Sequence, residues 1–182
     1  MRVITGSARG MRLETLEGLD VRPTTDQVKE SIFSIIQFEI EDAKVLDLFA
    51  GCGQLGIEAL SRGAKSATFV DNSRKSIEVV EANLKHTKLS DKALIKNEDS
   101  IAFLHRTREK FDIAFLDPPY RQGLIDKALP LLADKMETSG IIVCETGKDE
   151  VLPEKAGAFS VYREYKYGKI KLTVYRMGDE TD

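Results

Sequence analysis

Asp117, Pro118, Pro119 and Tyr120 end an apolar run, "FDIAFLDPPY" over residues 111–120, and no ordinary turn needs that set. Adjacent prolines fix their own φ and push the preceding residue into extended backbone, so Asp117 and the carbonyls around it are held stiffly. A fixed carboxylate, a fixed carbonyl and an aromatic ring suit methylation of an exocyclic amine on a planar base. Such a nitrogen is a poor nucleophile because its lone pair is delocalised into the ring. The site must align it with the methyl donor and favour the positive charge growing on it. Asp117 and the Pro118 carbonyl each accept an amine hydrogen, Pro119 adds rigidity, and Tyr120 stacks on a base drawn out of its helix or loop. No strong base is needed, because the nitrogen becomes acidic once methylated and Asp117 or water takes the proton. The plain alternative is a proline-stiffened strand end.

A second cluster lies upstream. "LDLFAGCGQLG" sets Gly51, Gly53 and Gly56 in a G-x-G-x-x-G frame between an apolar run and a helical one. Glycines there allow a tight turn and close approach of a ligand. Asp71 ends the next apolar run, where an acid that binds ribose hydroxyls is expected, with Asn72 beside it. NAD(P) and S-adenosylmethionine fit this frame equally, and Asp47 helps to separate them. A carboxylate just before the loop opposes a pyrophosphate and favours the ammonium of S-adenosylmethionine. Asp47 is alternatively an acceptor for loop amides, and Asp71 a helix cap. Asp99 and Ser100 follow a third apolar run and border the expected adenine position; Asp99 there either accepts from the exocyclic amine or caps a helix. Phe49, within the loop, completes the cofactor set.

The elements that must position these residues follow from periodicity. "KVLDLF", "SATFVD", "KALIKN", "FDIAFLD" and "GIIVCE" read as strands, separated by helices at roughly 54–63, 73–88, 99–109 and 121–136. Strands alternating with helices imply a parallel, doubly wound sheet with ligands at the carboxyl ends of its strands. The tail "FSVYREYKYGKIKLTVYRM" reads as an antiparallel hairpin turning at Gly168. Before the core, "RPTTDQVKESIFSIIQFEI" reads as a helix capped by Thr25 or Asp26, with Val28, Ile32, Ile35 and Ile36 on one face. The expected organisation is one domain, with an N-terminal arm and helix over 1–40 and the core over 44–182.

Composition limits the partners. The 182 residues carry a formal charge of −3, so nucleic acid is not bound by overall electrostatics and any contact is local. "MRVITGSARGMRL" offers Arg2, Arg9 and Arg12 with no acid among them, either as such a contact or as scattered arginines on a solvated edge. Cys52, Cys144, His86 and His105 are too dispersed for a metal site or disulfide framework, which suggests a reduced, cytoplasmic protein. Neither a signal peptide nor a membrane span is read, and a monomer is expected.

With "VITGSARGMRL", "RPTTDQVKESIF", "LDLFAGCGQLGIEALSRGA", "FVDNS" and "LDPPY" in this order, the chain resembles the ribosomal RNA small-subunit methyltransferase D family over nearly its whole length. The resemblance implies an α/β, Rossmann-like class I S-adenosylmethionine-dependent methyltransferase fold, with a mostly parallel seven-stranded sheet ending in an antiparallel hairpin. It implies methyl transfer to N2 of a guanine in 16S rRNA, with a partly assembled small subunit as substrate. Asp47, Gly51, Gly53 and Asp71 would contact the cofactor, and Asp117, Pro118 and Tyr120 would hold the guanine. Arg9 and Gly10, and the stretch Arg22, Thr24 and Thr25, would bind RNA or close the pocket. Cys52 replaces a residue that is commonly serine in the family, a small-for-small exchange. Three other readings stay open: a DNA adenine-N6 methyltransferase, an NAD(P)-dependent oxidoreductase and a non-catalytic binding module. Enzymes of the first kind usually carry a separate DNA-recognition region, for which this chain has little sequence to spare, and the second leaves "DPPY" unexplained.

Overall fold

The computed structural model describes residues 1–16, 24–120 and 122–179. Five parallel strands come first: β1 (Lys44–Asp47), β2 (Ser66–Asp71), β3 (Ala93–Asn97), β4 (Phe111–Leu116) and β5 (Met136–Gly147). After them come β6 (Lys155–Ala156), β7 (Phe159–Tyr167) and β8 (Ile170–Met177). Among the described residues the eight strands form one sheet in the order β3-β2-β1-β4-β5-β8-β7-β6. The hairpin turning at Gly168 is present, with β8 inserted antiparallel between β5 and β7. Seven strands were expected. The eighth, β6, has only two residues against the edge of β7, too few to show an alternating pattern in sequence.

The connecting helices are α1 (Asp26–Ile35), α2 (Gln54–Ser61), α3 (Arg74–Thr87), α4 (Ser100–Arg106) and α5 (Leu124–Ala133). The starts of α1 and α3 follow capping chemistry: the Thr25 hydroxyl accepts from the Val28 amide at 3.3 Å, and the Ser73 hydroxyl accepts from the Ser76 amide at 3.3 Å. Two apolar layers cover the sheet. Val28, Ile32, Phe33 and Ile36 of the α1 region, with α2 and α3, pack on one face against Val45, Ile113, Phe115 and Val143. On the other, α4 and α5 pack against Leu46, Ala114, Leu116, Ile142 and Cys144. Ile35 lies at the margin of the first layer, and Phe33 takes the deeper place with its ring 5.7 Å from that of Phe115.

A buried ionic cluster fixes the N-terminal arm to this first layer. Glu58 on α2 is fully buried and accepts from the amides of Ile4 at 2.9 Å and Thr5 at 3.0 Å. It also pairs with Arg62 at 3.0 Å and faces Lys29 of α1, itself fully buried, at 3.8 Å. The Lys29 ammonium donates to the Arg2 carbonyl at 2.6 Å, and its own pKa is lowered by burial against the opposing pull of Glu58. Helix α1 and the arm are therefore positioned by one carboxylate. Breaking a buried pair on one side typically costs about 3–5 kcal/mol, because the remaining charge is left uncompensated. Glu58→Ala is expected to lose about that much in urea unfolding at pH 7. A loss below about 1 kcal/mol would mean that water already serves Lys29.

Candidate active site

The strand order reverses beside β1, so the carboxyl ends of β1 and β4 flank the crevice where doubly wound sheets bind ligands. Side chains alternate faces along a strand, and register then decides which acids meet. Asp47 pairs with Phe69 and Phe115, so Asp71 and Asp117, two residues further along their strands, share its face. In the parallel pairing of β4 with β5 the last partners are Leu116 and Cys144, which brings Asp117 level with Glu145. The prolines turn β4 away there, while β5 continues to Gly147 because β8 keeps it paired on its other side. Asp71, Asp47, Asp117 and Glu145 thus form a row across β2, β1, β4 and β5, on one face at the carboxyl edge.

The glycine loop folds over the Asp47 end of this row. Gly53 takes φ 82°, a conformation few residues with a side chain adopt, and starts α2. Gly56 must be small, because an added Cβ would lie 2.4 Å from the Phe69 ring and 3.2 Å from the Asp47 carboxyl. Asp47 is buried and accepts from the Gly56 amide at 3.0 Å, so the loop-bracing role is present. Burial, and to a lesser degree the charge of Asp71, push its carboxyl up to about 7. Asp71 accepts from the Gly51 amide at 2.9 Å and the Ser73 amide at 2.9 Å, while Ser73 itself caps α3.

Asp99 caps α4 by accepting from the Ala102 amide at 2.9 Å, and Ser100 is buried with its hydroxyl donating to the Leu48 carbonyl at 3.0 Å. Ser100 therefore ties the third strand's exit to the end of β1. Phe49 packs at the edge of the second apolar layer, and Asn72 is exposed between β2 and α3.

At the other end of the row, Thr24 is buried, and its hydroxyl lies 3.2 Å from Asp117 Oδ2 and 2.9 Å from Glu145 Oε2. Tyr120 donates its phenol proton to Glu145 Oε1 at 3.0 Å. Asp117 is raised well above the usual carboxylate range by burial, then by Glu145 and Asp47; the Thr24 hydroxyl opposes this. Glu145 is raised mainly by burial. Beside them a cavity of about 200 Å³ is lined by Pro118, Pro119, Tyr120, Glu145, Val151 and Leu152, with the start of α5.

Of the residues assigned to RNA by sequence, Arg2, Arg9, Gly10, Arg12 and Thr25 are exposed. Arg2 and Arg12 face each other across a bridge in the arm, and Arg2 pairs with Asp26 at 3.5 Å. Thr24 instead turns into the site, and Arg22 lies outside the described residues. The arm also reaches the glycine loop: Asn83 of α3 donates to the carbonyls of Glu14 at 3.0 Å and Cys52 at 2.9 Å. Sequence reasoning missed Glu145. The only available signal was an acid closing "GIIVCE", the strand after "FDIAFLD".

A doubly wound sheet, a glycine loop at its switch point and an antiparallel last strand define the Rossmann-like class I methyltransferase fold. The family model described as Conserved hypothetical protein 95 matches residues 1–176, and the chain belongs to this family, that of ribosomal RNA small subunit methyltransferase D. Ribosomal RNA small subunit methyltransferase D of Escherichia coli is 34% identical, over 97% of this chain and 89% of that one. YlbH of Bacillus subtilis is 42% identical, over 97% and 98% of the two chains. The solved structure of Escherichia coli yhhF superposes with a TM-score of 0.88 at 35% identity, covering 99% of each chain.

The buried Asp47 carboxyl sets a pH signature. Its folded pKa lies above its unfolded value near 3.8, so stability is highest below that value and falls as pH rises through about 7. Asp47→Asn keeps an acceptor for the Gly56 amide and removes the charge. The variant should melt above the parent at pH 8, with the gap closing towards pH 4. A gap independent of pH in melting curves would contradict a buried, titrating Asp47.

Proposed function

We propose that the protein transfers a methyl group from S-adenosylmethionine to the exocyclic N2 amine of a guanine in 16S rRNA. The observation that carries this reading is the acid row with "DPPY" at its end. Four carboxyls across adjacent strands disfavour a pyrophosphate and favour a ligand bearing cationic groups. S-adenosylmethionine has a sulfonium and an ammonium, and it supplies the methyl group directly. Asp47 and the loop at Gly51 and Gly53 would hold its amino-acid end. Asp71, with Asn72 beside it, would take the ribose. Asp99, whose Oδ1 already caps α4, and Ser100 would border the adenine, with Phe49 against it.

The amine would enter between Asp117 and the Pro118 carbonyl, both stiffened by Pro119, with Tyr120 against the base. The N–CH3 bond forms as the S–CH3 bond breaks, S-adenosylhomocysteine leaves, and the nitrogen's surplus proton passes to Asp117 or water. Nearby carboxyls favour the positive charge that grows on nitrogen in the transition state. Exposed Arg9 and Arg12 would meet the RNA backbone locally, in keeping with the net charge of −3. The names of the matched relatives support ribosomal RNA as the substrate, and a partly assembled small subunit would supply recognition that an acidic protein lacks.

The test follows labelled methyl from S-adenosylmethionine into small subunits of a strain lacking the protein, with nucleoside analysis. The expected product is N2-methylguanosine, lost to background in Asp117→Ala while cofactor affinity stays within about threefold. Label in DNA as N6-methyladenine, or full activity of Asp117→Ala, would overturn the reading.

A further inference from the structure

The contacts around Thr24 contain a proton count. Three oxygen–oxygen contacts join Thr24 to Asp117, Thr24 to Glu145 and Tyr120 to Glu145, at 3.2, 2.9 and 3.0 Å. Each needs one hydrogen, and the hydroxyls of Thr24 and Tyr120 supply only two. With each hydrogen serving one acceptor, the third sits on a carboxyl. Either Asp117 carries it and Thr24 donates to Glu145, or Glu145 carries it and Thr24 donates to Asp117. Reversing the Thr24 hydroxyl exchanges the two arrangements, and only the second leaves Asp117 ionised.

We propose that Glu145 is a positioning residue for methyl transfer, holding Tyr120 directly and Asp117 through one proton shared across the Thr24 hydroxyl. This rests on the methyltransferase reading above. Glu145 is only 3% exposed, and β8 pairs it with Leu172, so its backbone is fixed. Tyr120 follows two prolines in a turn, and its phenol is tied to Glu145, the strand neighbour of Asp117. A single carboxyl therefore sets both the stacking ring and the amine acceptor. When the amine arrives, the proton resides on Glu145 and Asp117 accepts. Among the described residues, the groups facing Asp117 are Glu145 from β5, Asp47 from β1 and Thr24 ahead of α1. Asp71 lies one strand beyond Asp47, and the cationic Lys29 is turned away to Glu58.

Two near-isosteric variants move Asp117 in opposite directions. Glu145→Gln keeps an acceptor for Tyr120 and a donor for Thr24 but removes the neighbouring acid, so Asp117 titrates at lower pH. Thr24→Val removes the hydrogen bond that favours the ionised form, so Asp117 titrates at higher pH. The experiment is carboxyl 13C NMR titration of the full chain without RNA, paired with the acidic limb of kcat against pH on small subunits. The limb should follow the NMR midpoint in both variants. Glu145→Ala should lower kcat about tenfold or more with little change in KM for S-adenosylmethionine, and Glu145→Gln should restore most of that loss at pH 8. Midpoints that do not move, or move the same way, would overturn the shared proton. Midpoints that separate while the rate limb stays fixed would overturn the role of Asp117 in transfer instead.

Discussion

Burial of several carboxyls side by side at one edge of the sheet, reinforced by their mutual repulsion, is the constraint around which the site is built. Burial raises Asp47, Asp117 and Glu145, and neighbouring charge adds to it, from Asp71 on Asp47 and from Glu145 and then Asp47 on Asp117, so these three carboxyls resist ionising together. The protein softens this with amides and hydroxyls: Gly56 for Asp47, Gly51 and Ser73 for Asp71, Thr24 for Asp117, and Thr24 and Tyr120 for Glu145. Among the described residues none of these partners is a lysine or arginine. A cationic ligand would add positive charge that these partners do not supply, and the same field would favour positive charge growing on an amine at its Asp117 end.

The row in turn depends on elements distant in sequence. Thr24 reaches Asp117 across 93 residues and Glu145 across 121. It lies just ahead of α1, which Lys29 and Glu58 tie to α2 and to the arm. The buried ionic cluster and the acid row are thus two ends of one arrangement: the first fixes α1, and the start of α1 delivers the hydroxyl that bridges the second.

Local pattern made much of this legible in the sequence. The five parallel strands, the hairpin at Gly168 and the caps at Thr25 and Asp99 each follow from signals confined to a few residues. So does the placing of Asp47 and Asp117 at strand ends, and the strand order expected of a doubly wound sheet makes those ends adjacent. What escaped depends on register and long-range packing. Glu145 is one acid at the end of an apolar run until the pairing of Leu116 with Cys144 sets it level with Asp117. Thr24 reads as part of the "RPTT" stretch that would bind RNA or close the pocket, although it is buried between two acids. Lys29 and Glu58 look like solvated helix residues, because nothing near them in sequence shows that each is the other's partner.

The most direct test of this account is calorimetry of S-adenosylmethionine binding at pH 7 in buffers of differing ionisation enthalpy. A cation entering the row lowers the pKa of carboxyls that still hold protons there, so binding should release protons to the buffer. Asp47→Asn should release fewer. Binding with no net proton exchange, or with release unchanged in Asp47→Asn, would contradict an acid row completed by its ligand's charge.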